Sequence, residues 1–127
     1  MPKVHGNVRV LGFIDQKDLP GLYTGASLFI YPSIFEGFGL PVVEAMACGV
    51  PVITSNKGSL EEIARDAAIF VDPELADDIA REMMKVFIDK DLKTTLIEKG
   101  KKRAANFCWE NTAKRVKILY EKLHAIV

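Results

Sequence analysis

Short apolar runs of β-forming residues alternate with stretches about one helix long, and this alternation limits the fold more than any single residue does. Val8-Arg9-Val10-Leu11, Leu28-Phe29-Ile30-Tyr31 and Val50-Pro51-Val52-Ile53 are each rich in β-branched or aromatic side chains and read as strands. Lys17 to Ala26 and Leu40 to Cys48 fill the gaps between them at helix length. Strands that alternate with helices are joined by right-handed βαβ crossovers and pair in parallel, so the predicted class is α/β. A helix beginning near Ser59 follows, then the apolar run Ala68-Ile69-Phe70-Val71. Asp72-Pro73 reads as the opening of a further helix whose stripe is Leu75, Ile79, Met83 and Val86. Asp91 is placed to cap another through Leu92, Leu96 and Ala104. A last helix, Trp109 to Leu123, turns Val116, Tyr120 and Leu123 inward, with Trp109 as a core anchor. Three strands followed by helices make the second half of a doubly wound nucleotide domain.

At 127 residues the chain fits one domain, and 49% hydrophobic residues suffice for one core. Basic and acidic residues number 17 each, which excludes a simple nucleic-acid binder. From Lys85 onward the balance turns basic; a solvated helix surface is the plain reading, and peripheral contact with an anionic membrane is the alternative. Cys48 and Cys108 lack partners at metal or redox spacing and read as buried thiols of a cytoplasmic protein. No apolar run approaches the roughly 20 residues of a membrane span. His5 and His124 read as surface residues, and Met46, Met83 and Met84 as core filling.

The chemistry is concentrated between the second and third expected strands, from Pro32 to Gly49. This segment leaves the C-terminal end of a parallel strand, the edge where open α/β sheets bind ligands. Pro41 suits a first helical turn, so a helix starts around Gly39 to Pro41. Its free N–H groups and partial positive charge form a cradle for a phosphate or for sugar hydroxyls. Glu36 lies in the loop ahead and Glu44 one turn in. A carboxylate accepts two hydrogen bonds and so suits a vicinal diol; two such readers around an anion cradle describe a nucleotide sugar.

At these residues the chain resembles the family-four, GT-B-fold retaining glycosyltransferases (glycosyl transferases group 1), marked by two glutamates eight positions apart around Phe-Gly-Leu-Pro, as in Glu36 to Glu44. The likeness extends to Val10 to Ile14, Asp18 to Tyr23, Gly49 to Ser55 and Phe107 to Glu110. It implies the second half of the C-terminal, donor-binding domain of a two-domain enzyme, with a nucleoside-diphosphate sugar as donor, retained anomeric configuration and no cofactor or obligatory metal. By position, Glu36 is the catalytic residue holding donor-sugar hydroxyls, and Gly37, Phe38, Gly39 and Leu40 line the sugar and diphosphate. Glu44 takes the ribose hydroxyls, and the loop at Phe13-Ile14 lies beside the base.

The resemblance also implies that the acceptor is bound by an N-terminal domain outside this sequence, as are the Arg and Lys that neutralise the diphosphate. The chain alone is therefore expected to be inactive, since charge developing on the leaving oxygen needs fixed dipoles, cations or metal. Lys17 and Lys57 are the cations nearest the glutamate loop in sequence, and Lys57 could reach the cleft. The competing reading is a stand-alone half-domain or subunit that binds nucleotide or sugar phosphate without catalysis. A nucleotide-sugar epimerase fits the architecture but matches the Phe-Gly-Leu-Pro turn poorly. With Val8 to Leu11 as an uncovered edge strand, two copies are expected to pair as a homodimer.

Overall fold

The computed structural model describes residues 6–126. Three parallel strands form one sheet in the order β1 (Phe29–Tyr31), β2 (Val52–Ser55), β3 (Ile69–Val71). The register pairs Ile30 with Ile53 and Ile53 with Ile69. Helix α1 (Leu19–Gly25) precedes β1, α2 (Leu40–Ala47) joins β1 to β2, and α3 (Leu60–Ala64) with a 3₁₀ turn at Arg65–Ala67 joins β2 to β3. Three more follow, α4 (Ala76–Ile88), α5 (Lys90–Ala104) and α6 (Trp109–His124). The expected α/β class with C-terminal helices is what the chain adopts.

Alternation along the strands splits the core in two. Phe29, Tyr31, Val52 and Phe70 face a cluster built with Tyr23, Val42, Val43, Met46, Leu60 and Ile63 from α1, α2 and α3. Ile30, Ile53, Ile69 and Val71 face the other, with Ile79, Met83 and Val86 of α4 and Leu92 and Leu96 of α5. Helix α5 also crosses α2 closely, since a Cβ on Gly100 would lie 3.2 Å from Met46 Cγ. Its far end is tied to α3, because the Arg103 guanidinium donates to the carbonyls of Ile63 and Glu62 at 2.8 and 2.9 Å.

Several expectations are corrected. Val8 to Leu11 is not a strand: Val8 and Val10 are 68% and 90% exposed, and no described strand lies beside them. A β-forming run becomes a strand only where a neighbour completes its ladder. The third strand is instead the short run at Ile69–Val71. β2 begins at Val52 rather than Val50, because Pro51 has no N–H for the ladder and contributes only its carbonyl, to Phe29 N.

Asp72-Pro73 forms a turn ahead of α4 rather than its first residues. The Asp72 carboxylate accepts from Glu74 N at 3.0 Å and its own N–H donates to Asp78 Oδ2, so the helix starts at Ala76. Asp89, not Asp91, caps α5, accepting from Leu92 N at 2.9 Å. Met84 is exposed while Met46 is buried and Met83 is packed, and both thiols are half-buried rather than buried. On α6 the expected inward stripe is present in sequence but faces outward: Trp109 is 80% exposed and Val116, Tyr120 and Leu123 are also exposed. Amphipathicity fixes which side of a helix seeks cover, and none of the described residues supplies that cover. His5 lies outside the described residues. Among them, no helix is long and apolar enough to cross a membrane.

Candidate functional site

The loop that leaves β1 is held from behind by hydroxyls. Thr54 and Ser55, fully buried at the end of β2, donate to the carbonyls of Tyr31 and Ser33 respectively. Ser59, the N-cap of α3, donates to the carbonyls of both Glu36 and Phe38 at 3.0 and 2.9 Å. The buried hydroxyls of Thr54 and Ser55 must find acceptors, and with the half-buried Ser59 they pin the loop through its carbonyl groups. Gly58 packs so closely that a Cβ there would sit 3.3 Å from the Glu36 carbonyl oxygen.

Gly39 ends the loop as the N-cap of α2 with φ of 98°, a left-handed conformation that suits glycine, and an added Cβ would strike Leu60 Cδ2 at 2.5 Å. Pro41 stands in the first turn, as its missing N–H allows. The amides of Gly37, Phe38, Gly39 and Leu40 have no acceptor among the described residues. Four unpartnered N–H groups at the head of an eight-residue helix carry partial positive charge and suit an anionic or hydroxyl-rich ligand.

Glu36 lies in the loop ahead of these amides and Glu44 one turn into α2. The Glu36 carboxylate accepts from Tyr31 Oη at 2.5 Å and Ser33 Oγ at 3.0 Å, both on the same oxygen, Oε1. Glu44, exposed on α2, accepts from Tyr23 Oη at 3.1 Å on Oε2. Burial, followed by the bond to Glu44, pushes the Tyr23 phenol up to about 12. The bond to Glu36, more than burial, raises the Tyr31 phenol. Both phenols therefore stay protonated donors at neutral pH.

Phe38 is partly exposed and meets Phe107 edge-on at 5.6 Å, while Arg103 lies 4.7 Å from the Phe107 ring centroid, so the loop also leans on the segment before α6. Leu40 is half exposed beside it. Phe13 is 91% exposed and Ile14 is half-buried; no hydrogen bond among the described residues joins them to the glutamate loop. Lys57 is exposed and adjoins Gly58, and no ion pair engages it among the described residues, whereas Lys17 pairs with Asp15 at 3.5 Å. The bracing residues Tyr23, Tyr31, Thr54, Ser55 and Ser59 were not foreseen. For the two tyrosines the one available signal is a phenol hydroxyl within an apolar pattern, which needs a partner when buried.

A family model described as "Glycosyl transferases group 1" matches residues 3–103. The chain belongs to the glycosyl transferases group 1 family. O-antigen chain mannosyltransferase B of Escherichia coli is 43% identical over 106 residues, which make up 84% of this chain and 28% of that protein. The sucrose-phosphate synthase structure from Thermosynechococcus elongatus superposes with a TM-score of 0.84 at 36% identity, over 94% of this chain and 31% of that one. The C-terminal domain of a glycosyl transferase group 1 family protein from Francisella tularensis gives a TM-score of 0.67 at 30% identity, over 76% of this chain and 51% of that one. The chain thus has the fold of part of a GT-B glycosyltransferase and spans under a third of the first two relatives.

Proposed function

We propose that this group 1 chain is the donor-binding portion of a retaining glycosyltransferase that moves a hexose from a nucleoside-diphosphate sugar. The observation that carries the reading is the arrangement of Glu36 and Glu44 on either side of four unpartnered amides at the head of α2. In this reading Glu44 takes the ribose hydroxyls, Glu36 the sugar hydroxyls, and Gly37 to Leu40 the sugar and diphosphate. Phe13 and Ile14 lie beside the base. No obligatory metal takes part. The acceptor binds a separate N-terminal domain, and the protein works in the cytoplasm. Hexosyl transfer is in keeping with the similarity to the O-antigen chain mannosyltransferase.

The test is a titration of this chain by NMR, a method that registers millimolar affinities, with UDP, GDP and ADP and their hexose conjugates. Perturbation of the Gly37 to Leu40 amides by one of these ligands supports the reading, and Glu44→Ala is expected to weaken that binding by about 1–3 kcal/mol, the worth of charge-assisted hydrogen bonds. Unperturbed amides across the whole panel at millimolar ligand reject it. Pairing of two copies through the exposed Val8 to Leu11 segment is a companion proposal. A dimer by light scattering supports it, and a monodisperse monomer at high concentration removes it.

A further inference from the structure

Each site carboxylate is held by a phenol, and the two phenols belong to one stack of rings. Tyr23 of α1 meets Phe29 edge-on with ring centroids 5.3 Å apart, and Phe29 lies nearly parallel to Tyr31 at 5.9 Å. Phe29 and Tyr31 are two residues apart on β1 and share its face, as the two-residue period of a strand requires. From this stack Tyr23 Oη reaches Glu44 Oε2 and Tyr31 Oη reaches Glu36 Oε1. The stack sits in the core cluster on which α2 packs, so ring positions are fixed by close packing rather than by solvent.

The pattern of donors is unequal within each carboxylate. Tyr31 and Ser33 both bond Oε1 of Glu36, and Tyr23 bonds Oε2 of Glu44. Among the described residues, Oε2 of Glu36 and Oε1 of Glu44 accept no hydrogen bond. We infer that Tyr23 and Tyr31 are positioning residues for the donor, each locking one oxygen of its glutamate so that the two remaining oxygens are presented at a set separation. The inference rests on the donor-binding reading of Glu36 and Glu44 given above.

A phenol suits this task because it is a neutral donor. It orients a carboxylate without cancelling its charge, whereas a lysine in the same place would compete with the ligand's hydroxyls. Its ring also loses little freedom on being fixed, since only two torsions position the hydroxyl. A glutamate held in this way meets a diol with its ordering cost already met by the fold. Because both phenols stand on one stack, the nucleoside end and the sugar end of a ligand are read by a single rigid body.

Tyr→Phe substitutions keep the rings and remove only the donors. Tyr31→Phe is expected to weaken hexose conjugates by about 3- to 10-fold while leaving the free nucleoside diphosphate within about 2-fold, and Tyr23→Phe to weaken both by about 3- to 10-fold. A ligand-free readout accompanies this. In a spectrophotometric titration of tyrosine, Glu44→Gln and Glu36→Gln should each bring one phenol ionisation back toward its ordinary range. Phenol titrations unmoved by the glutamine variants overturn the inference. So does binding by both Phe variants that equals the unaltered chain while Glu44→Ala and Glu36→Gln bind more weakly; the donor reading then stands and positioning falls. If the glutamate variants also bind as the unaltered chain does, the donor reading fails and carries the inference with it.

Discussion

Gly39 and Gly37 stand two residues apart in the same loop, yet a methyl group has opposite consequences at each. Gly39 has φ of 98° and its Cβ would lie 2.5 Å from Leu60 Cδ2, whereas a Cβ on Gly37 meets nothing within 4 Å. Gly39→Ala should therefore cost about 1–3 kcal/mol of stability from the left-handed backbone. Gly37→Ala should stay within about 0.5 kcal/mol. Urea unfolding of the two variants checks this. Tyr23 makes a prediction about pH. Its phenol is raised from 10.0 to about 12 in the folded chain, so the stability that burial and the Glu44 bond confer is complete below pH 10. That stability is lost as pH rises from 10 to about 12, because the unfolded chain then releases the proton more readily. Tyr23→Phe should lack this part of the alkaline decline; an identical decline in both proteins would contradict the assigned environment.

At the scale of elements, Leu60 and Trp109 make opposite predictions. Leu60 is fully buried, and Leu60→Ala should cost about 2–5 kcal/mol through lost transfer energy and a cavity. Trp109 is 80% exposed, and Trp109→Ala should change the stability of this chain by less than about 0.5 kcal/mol, measured by the same unfolding curves. These elements also show how far sequence could be read. The start of α2 was legible because Gly39 and Pro41 mark it through backbone constraints that act locally. The apolar stripe of α6 was legible too, but a stripe specifies a side and says nothing of what covers it. Val8 to Leu11 has strand-forming side chains and no ladder partner among the described residues, a fact that only the assembled sheet reveals. Asp89 took the cap from Asp91 because helix starts differing by two residues have nearly the same local signals. Spacing around the glycine turn singles out Glu36 and Glu44 as candidates, whereas Tyr23 lies 21 residues from Glu44 and is joined to it only by the packing of α1 against α2.

At the scale of the molecule, the two-sided core fixes the sheet, and the sheet in turn fixes where the loop after β1 and the start of α2 lie. Hydroxyls at the end of β2 and the start of α3 hold the loop carbonyls, α2 begins directly after them, and the aromatic stack beneath steadies both glutamates. In the proposed function this construction supplies the amides and carboxylates that a donor would need, but among the described cations Arg103 is engaged with backbone carbonyls and Lys57 alone adjoins the loop without a partner. A leaving diphosphate requires more positive charge than that. The isolated chain should accordingly bind nucleotide sugars weakly and transfer no sugar, checked by a product assay with radiolabelled donor against the same panel; turnover by the chain alone would show that its half of the site is sufficient. The most direct test of the central claim is the NMR titration of the isolated chain with nucleoside diphosphates and their hexose conjugates. The account predicts saturable shifts at Gly37 to Leu40 that weaken in Glu44→Ala. Shifts confined to residues away from this loop, or shifts unchanged in Glu44→Ala, would contradict it.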